Sequence, residues 1–476
     1  MPSTTRKSTN KKTAATELSI RLWGGVFHSD NRGFYSSLEF LALVGGHPDD
    51  EEVMPGPDEN GHIRVTAPGY LAARRMAFDD FEQGELQALD EVIDDDVRAP
   101  VKELLRGLKV HIPNTGRAGT SWSGSHFVPY GKGLVHWDAR HKGKRPIKER
   151  IYYRGAGTLA YAIICSDPNE QRLNETRAAF REIFERDHFT GMLLNVFDKH
   201  EHKVYEARNG CKGQTVNTEI NDTLAKKVIE WRRGRPGQEG GDHWEELLRH
   251  CVHSIVTSKR APQVVRLDAL FHIIPLCLTV LMIGRAKAKV ETADSSGADT
   301  AQLGFDLEAK KHQVVIDCSP AGNRRNEVRG AAHRSFVNIN KMLLAALQEV
   351  NNDPDQNVPR RNLKQFVAWF TRGAPAIGLS NALKGSRRFV LSEPLLEALV
   401  LATGQDEMTF ESFVEDWLYK QFGFVIDEAA ARECKLDREA NLSLFEENTQ
   451  HLSDTLNGLG LMQSYSDSTR MVRYEA

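Results

Sequence analysis

The last stretch of the chain, Glu393 to Ala476, restricts the possible folds more than any other, because its start and stop signals admit one order of elements. Ser392 is placed to cap a helix with Pro394 in its first turn, expected to run to Gly404, and Thr409 to cap a second, Phe410 to Gln421. A third helix is expected from near Asn448, burying Leu452, Leu456 and Leu459 and stopping at Gly458 or Gly460. Leu461 to Glu475 then reads as two short strands about Ser466-Asp467-Ser468. This stretch holds 6 Lys/Arg and 17 Asp/Glu of the 62 and 65 in the whole chain, which leaves 56 and 48 for the rest. A body of charge +8 therefore precedes an end of charge −11.

Three helices followed by a hairpin is the winged-helix order, so residues 393–476 are expected to form an acidic winged-helix-like domain. Such a domain would expose Asn448, Thr449, Gln450, His451, Asp454 and Thr455 on its third helix, none of them Lys or Arg, and only Arg470 and Arg473 on the wing favour DNA. Affinity for nucleic acid comes first from neutralised phosphates, so this charge favours protein docking instead. Trp417, Leu418 and Phe422, with Arg470 and Arg473, are the candidate partner-binding residues, provided that the apolar three are not all used internally.

The body reads as α+β, mixed and helix-rich. Glu17 to Phe27 alternates as a strand would, and Phe40 to Val44 is a second apolar strand before Gly45-Gly46. Helices are expected over Tyr70 to Leu108, Gln171 to Phe184, Thr218 to Arg233, Asp242 to Val256, Val264 to Ala286 and Glu327 to Val350, and around Phe366 to Phe370. Gly191 to Phe197 with Lys203 to Ala207 reads as a hairpin, and Gln313 to Asp317 as a strand. The expected organisation is a disordered basic tail over 1–16, an α+β body over 17–290, a linker or mobile loop over 291–302, a continuation of the body over 303–392, and the acidic domain.

Bulk properties limit the class of protein. With 476 residues, 40% hydrophobic and 27% charged, the chain can bury a full core. Its six cysteines form no CxxC pair, which fits reduced thiols and a cytoplasmic setting. The apolar run Ala269 to Ile283 is too short to span a bilayer and holds His272 and Pro275, so it reads as a buried helix, and no membrane partner is expected.

The sharpest basic patch lies between Arg106 and Arg154. Arg117, Lys132, Arg140, Lys142, Lys144, Arg145, Lys148 and Arg150, with Trp137 among the interleaved aromatics, supply stacking planes beside phosphate-binding charge and are the candidate DNA- or RNA-binding residues. A second cluster is Arg324, Arg325, Arg329 and Arg334, where a helix starts after the strand Gln313 to Asp317.

His47-Pro48-Asp49-Asp50-Glu51 resembles the HPDDE signature of zinc-dependent de-N-acetylases acting on N-acetylglucosaminyl conjugates. The resemblance implies His47 and Asp50 as zinc ligands, Asp49 as general base and, from a later Asp-His pair, His188 after Asp187 as third ligand. That family continues from its motif through a glycine-rich turn into a helix. Here Met54-Pro55-Gly56-Pro57 leads into a polar loop, and the string reads first as an acidic surface turn. Asp198, Glu206 and Arg208 faintly echo a metal-dependent nuclease core. The chain carries no P-loop, HExxH or GxSxG, and no cofactor is called for. The expectation is a non-catalytic, nucleic-acid-associated subunit of a multi-protein assembly, of the kind found in bacterial genome-defence or restriction complexes, recruiting an ATPase or nuclease. A metal-dependent hydrolase, de-N-acetylase-like or nuclease, is the alternative.

Overall fold

The computed structural model describes residues 15–29, 33–45, 52–59, 62–64, 99–100, 103–104, 107–108, 128–129, 139–142, 145–148, 155–185, 228–230, 242–295, 313–320, 327–351, 358–382, 384–438, 440–465 and 469–475. It is a helix-rich α+β chain divided into two compact units. One comprises residues 1–34, 154–159 and 241–476, the other residues 35–153 and 160–240.

Two expected strands are helices. Residues 15–23 form α1, with Ala15, Leu18, Ser19, Leu22 and Trp23 buried and Ile20 exposed. That i, i+3, i+4, i+7, i+8 spacing is one helical face, and a period-two reading of Leu18, Ile20 and Leu22 overlooks it. Gly24, at φ +84, ends the helix, and the Ser19 hydroxyl donates to Gly25 O at 2.8 Å while accepting from Phe27 N at 3.2 Å. Phe40 to Val44 lies within α2 (Phe34–Gly45), buried along its whole length. Periodicity cannot separate a wholly buried helix from a buried strand in so short a run.

In the unit holding residues 35–153 and 160–240, α2 contributes Phe40, which meets Tyr161 of α3 (Ala156–Cys165) at 6.4 Å and Phe180 of α4 (Glu170–Glu185) at 5.8 Å between ring centroids. The start of α4 is held by a forked ion pair, Arg172 Nε to Asp167 Oδ2 at 2.6 Å and Nη2 to Oδ1 at 2.8 Å. Farther along, Arg177 grips the Met54 carbonyl through Nε at 3.1 Å and Nη2 at 2.9 Å. Strand β1 (His62–Arg64) pairs antiparallel with β4 (Val228–Glu230), which lies inside the stretch expected to be the helix Thr218 to Arg233. Between them in sequence, β2 (Ala139–Lys142) and β3 (Arg145–Lys148) make an antiparallel hairpin.

The other unit is organised around α6 (Gln263–Ser295), which packs against α5 (His243–Thr257), α7 (Glu327–Val350), α8 (Arg360–Ala376) and α9 (Glu393–Leu401). Its stretch Gln263–Thr292 is long and apolar enough to cross a membrane, yet it is almost wholly buried in protein and serves as the core helix. The helix continues to Ser295, so the first residues of the expected linker are helical. Gly284 lies where a Cβ would fall 2.1 Å from the Trp244 indole, which allows α5 and α6 to approach closely. Asp242 caps α5 by accepting from Glu245 N at 3.1 Å. Arg285 clamps that end of α5 by pairing with Asp242 at 2.7 Å and Glu245 at 2.5 Å and by donating to Trp23 O at 2.6 Å. Each buried charge in this clamp thus has a partner, as the low-dielectric interior requires.

After α9 come β6 (Met408–Thr409), the helix α10 (Phe410–Ser412) continuing as a π-helix over Phe413–Gln421, and β7 (Phe424–Val425). Then follow α11 (Glu428–Glu433), α12 (Ser443–Gly458), β8 (Met462–Ser464) and β9 (Arg470–Val472). Thr409 caps α10 as expected, accepting from Ser412 N at 3.2 Å. Strands β6, β9 and β8 form an antiparallel sheet in that order. The boundary expected at residue 393 is crossed by a parallel pair, β5 (Val314–Val315) with β7, in register Val314 to Phe424. Asn448 of α12, expected on the surface, is fully buried between these strand ends. Its Nδ2 donates to Ile316 O at 3.0 Å and to Ile426 O at 2.9 Å, and its Oδ1 accepts from Cys318 N at 2.8 Å.

Replacing Asn448 by Leu would take the side-chain partner from Cys318 N and Ile316 O and leave Ile426 O only the 3.5 Å contact of the Thr449 hydroxyl, and we expect a loss of about 3 kcal/mol in denaturant unfolding. Asn448→Asp keeps the acceptor for Cys318 N but sets a buried carboxylate against the Ile316 and Ile426 carbonyls, and should cost at least as much. The His272 ring is buried with Nδ1 2.9 Å from Ile377 O, and burial lowers its pKa against the smaller opposing effects of that carbonyl and Asp268. The neutral ring is therefore the folded form. Its stability contribution is complete above the unfolded value of about 6.5 and is lost as the pH falls toward the lowered folded value. Unfolding measured at pH 7 and pH 5 should show a smaller acid loss in His272→Gln than in the wild type.

Candidate functional site

Of the expected nucleic-acid residues, Arg117, Lys132, Trp137, Lys144 and Arg150 lie outside the described residues. Arg140 and Lys142 fall on β2, and Arg145 and Lys148 on β3. The backbone register sets Arg140 opposite Ile147 and Lys142 opposite Arg145. A short hairpin thus gathers four of the nine cationic or aromatic candidates on two paired strands.

The expected apolar docking centre is absorbed by the protein's own core, which corrects its assignment to a partner. Trp417, Leu418 and Phe422 are all buried. The Trp417 indole donates to Leu399 O at 3.0 Å, and its ring meets Phe422 at 5.3 Å and His250 at 5.5 Å. Burial follows from the spacing: Phe413, Val414, Trp417 and Leu418 form one face of the helical segment. Arg470 and Arg473 are also engaged. Arg470 lies over the Phe410 ring at 4.3 Å and pairs with Glu411 at 2.5 Å, while Arg473 pairs with Glu475 at 2.8 Å and bonds Gln463.

With Asn448 buried, the outward residues of α12 are Glu446, Glu447, Gln450, Asp454 and Asn457. Gln450 Nε2 donates to Asp454 at 2.8 Å, so part of this face is pre-ordered. A cleft of about 660 Å³ is lined by Arg260, Asp406, Glu407, Arg473, Tyr474 and Glu475. Arg260 pairs with Asp406 at 2.7 Å. Burial raises the Tyr474 pKa, helped by the Glu397 carboxyl to which it hydrogen-bonds. The Glu397 carboxyl is raised by burial and then by Asp268, against the Tyr474 bond. The cleft holds Asp406, Glu407 and Glu475 with Arg260 and Arg473 paired to Asp406 and Glu475, and the exposed face of α12 carries Glu446, Glu447 and Asp454.

A second constellation stands at the carboxyl end of β5. Asp317 is buried, and its Oδ2 receives Arg329 Nε at 3.1 Å and also Arg388 Nε. Its Oδ1 receives Ser319 N at 3.1 Å and the Ser319 hydroxyl. Arg329 Nη2 reaches Ser319 Oγ and Pro320 O, each at 3.0 Å. The sequence pointed to Arg329 through its arginine cluster. Asp317 and Arg388 gave no signal, because 71 residues separate partners that meet only in the fold.

The residues proposed for metal chemistry, His47, Asp49, Asp50, Asp187, His188, Asp198 and Glu206, lie outside the described residues, and the segment before His47 is α2 rather than a strand. Among the described residues no three His, Cys, Asp or Glu side chains are grouped to hold a metal ion. The His250 ring bonds Thr403 O at 3.2 Å. In a 390 Å³ cleft lined by Cys165, Ser166, Asp167 and Arg177, burial pushes the Cys165 thiol well above its usual range. Comparison of the chain with protein-family models, with curated proteins and with solved structures gives no match.

Proposed function

We propose that this chain is a non-catalytic, nucleic-acid-associated interaction subunit of a multi-protein assembly, with residues 393–476 as its acidic docking module. The module is winged-helix-like: helices α9, α10 and α12 precede the hairpin β8–β9, and β6 joins that hairpin to give the order β6–β9–β8. Strand β7 and helix α11 are inserted between the second and third of those helices.

The observation that carries the docking role is the charge on the face a winged helix would turn to DNA. Glu446, Glu447 and Asp454 point outward on α12, and Arg470 and Arg473 already pair with Glu411 and Glu475. Approach of a phosphate backbone would have to break both pairs against three nearby carboxylates. A basic protein surface meets no such opposition and gains in association rate from the same field. An ATPase or nuclease of a genome-defence or restriction complex is the class of partner that suits this role. Nucleic acid would be met elsewhere, on the basic stretch that includes the β2–β3 hairpin.

Each half has its own test. Changing Arg140, Lys142, Lys144 and Arg145 together to Glu should weaken binding of a single-stranded oligonucleotide by at least about tenfold at low salt, and wild-type affinity should fall steeply as salt rises. A wild type that binds no oligonucleotide at low salt would remove the nucleic-acid half. For the docking half, the triple variant Glu446→Lys, Glu447→Lys, Asp454→Lys should lose a partner that the wild-type chain retains and releases with salt, while Arg470→Ala leaves duplex affinity within about twofold. Loss of duplex binding in Arg470→Ala would restore a DNA-reading wing.

A further inference from the structure

The constellation at Asp317 contains more positive charge than it neutralises. Two guanidinium groups, Arg329 from α7 and Arg388 from the turn before α9, converge through their Nε atoms on one carboxylate oxygen. One buried negative charge thus faces two positive ones, and the other oxygen of Asp317 is taken by Ser319. Both arginine side chains are 17% exposed, whereas Asp317 has no exposed side-chain surface, so the cations form the outer layer and the anion the inner one. Among the described residues, Arg388 Nη1 and Nη2 and Arg329 Nη1 have no hydrogen-bond acceptor.

The support beneath these donors is rigid. Asp317 N donates to Phe389 O at 3.0 Å, Arg388 N donates to Asn381 Oδ1 at 2.8 Å, and Asn448 fixes Cys318 N and Ile316 O. Donor positions set by strand ends and a helix, with side chains locked from behind, are what a preorganised oxyanion site requires. Paired, planar guanidinium groups match the spacing of phosphoryl oxygens better than an ammonium does. The carboxyl end of a parallel strand pair is also where α/β sheets open to ligands.

We propose that Arg329 and Arg388, held by Asp317 and Ser319, bind the phosphoryl group of a nucleotide or of a phosphorylated strand end. Its occupancy is read independently of the docking face and of nucleic-acid binding by the β2–β3 hairpin.

The test uses the full chain and inorganic phosphate, with ionic strength held constant by chloride. Phosphate should raise the unfolding midpoint by a few degrees, on the order of 2–4 °C near saturation. Arg388→Lys keeps a cation against Asp317 but loses the free Nη donors, and should weaken phosphate at least about tenfold. Lys384→Gln, on the exposed turn nearby, should leave it unchanged. Should Arg388→Lys not fold, labelling of the wild type by phenylglyoxal, read by peptide mass spectrometry, decides: phosphate should protect Arg329 and Arg388 and leave Arg260 and Arg473 reactive. A midpoint that responds to phosphate no more than to chloride, full phosphate stabilisation in Arg388→Lys, or protection spread evenly over all arginines would each overturn the site. Competition by a nucleoside monophosphate, a 5′-phosphorylated oligonucleotide and its 5′-hydroxyl counterpart then separates the two sources. Preference for the phosphorylated over the hydroxyl strand assigns a strand end, and equal displacement by the mononucleotide assigns a free nucleotide.

Discussion

The Asn448 carboxamide is the junction on which the C-terminal half depends. Two strands of two residues each, β5 and β7, pair across more than a hundred positions of sequence and gain few ladder bonds from doing so. Such a pair cannot hold itself together, because closing a long loop costs entropy that a few backbone bonds do not offset. Asn448 supplies what is missing, with one side chain that satisfies a carbonyl beyond each strand and the amide of Cys318. Val315, Val425, Val328 and Phe445 pack in one apolar cluster, so α7 and α12 cover the same strand pair. A fully satisfied buried amide in a low-dielectric core admits few alternative arrangements. That constraint places Asp317 one residue beyond Ile316 and gives the arginines behind the loop a fixed anchor.

Much of this architecture was legible where local signals and burial agree. Asp242 capping α5, the apolar stripe of α7 and the Thr409 cap of α10 all combine a side-chain stop with helical periodicity, and the observed elements follow them closely. The hairpin β8–β9 was equally legible, since a polar turn separates two short strands. Misreadings fell where periodicity is degenerate. Helix α1 is short enough for Leu18, Ile20 and Leu22 to mimic a strand, and α2 is buried on all sides. Strand β4 shows tertiary pairing overriding a helical pattern: Val228–Glu230 is extended because β1 offers it partners.

Functional residues were less legible for a different reason. Trp417, Leu418 and Phe422 look like an exposed anchor only if the segment stands alone, and the same spacing serves a core equally well. Asn448 looked like a surface recognition residue because polar side chains are usually outside. Its burial is intelligible only once β5 is known to pair with β7, a contact no local pattern encodes. Asp317 and Arg388 share this property, since their meaning lies in convergence from separate elements. Arg470 shows the reverse case, where a half-buried arginine of the β8–β9 hairpin is legible as a cation but its partner Glu411 is not.

Charge segregation gives these separate features a common physical sense. Among the described residues the arginines of the C-terminal segment are paired locally, Arg470 with Glu411, Arg473 with Glu475 and Arg432 with Glu428, and Glu446, Glu447 and Asp454 are exposed. At Asp317 the ratio is inverted, with one carboxylate beneath two guanidinium groups. Because exposed charges are screened over roughly 8–10 Å at physiological salt, such neighbouring regions can keep opposite preferences without cancelling. In the roles proposed, the acidic face would select against phosphate and for basic protein, and the arginine pair would select for phosphate. A single surface could not do both, since the field that attracts one ligand repels the other.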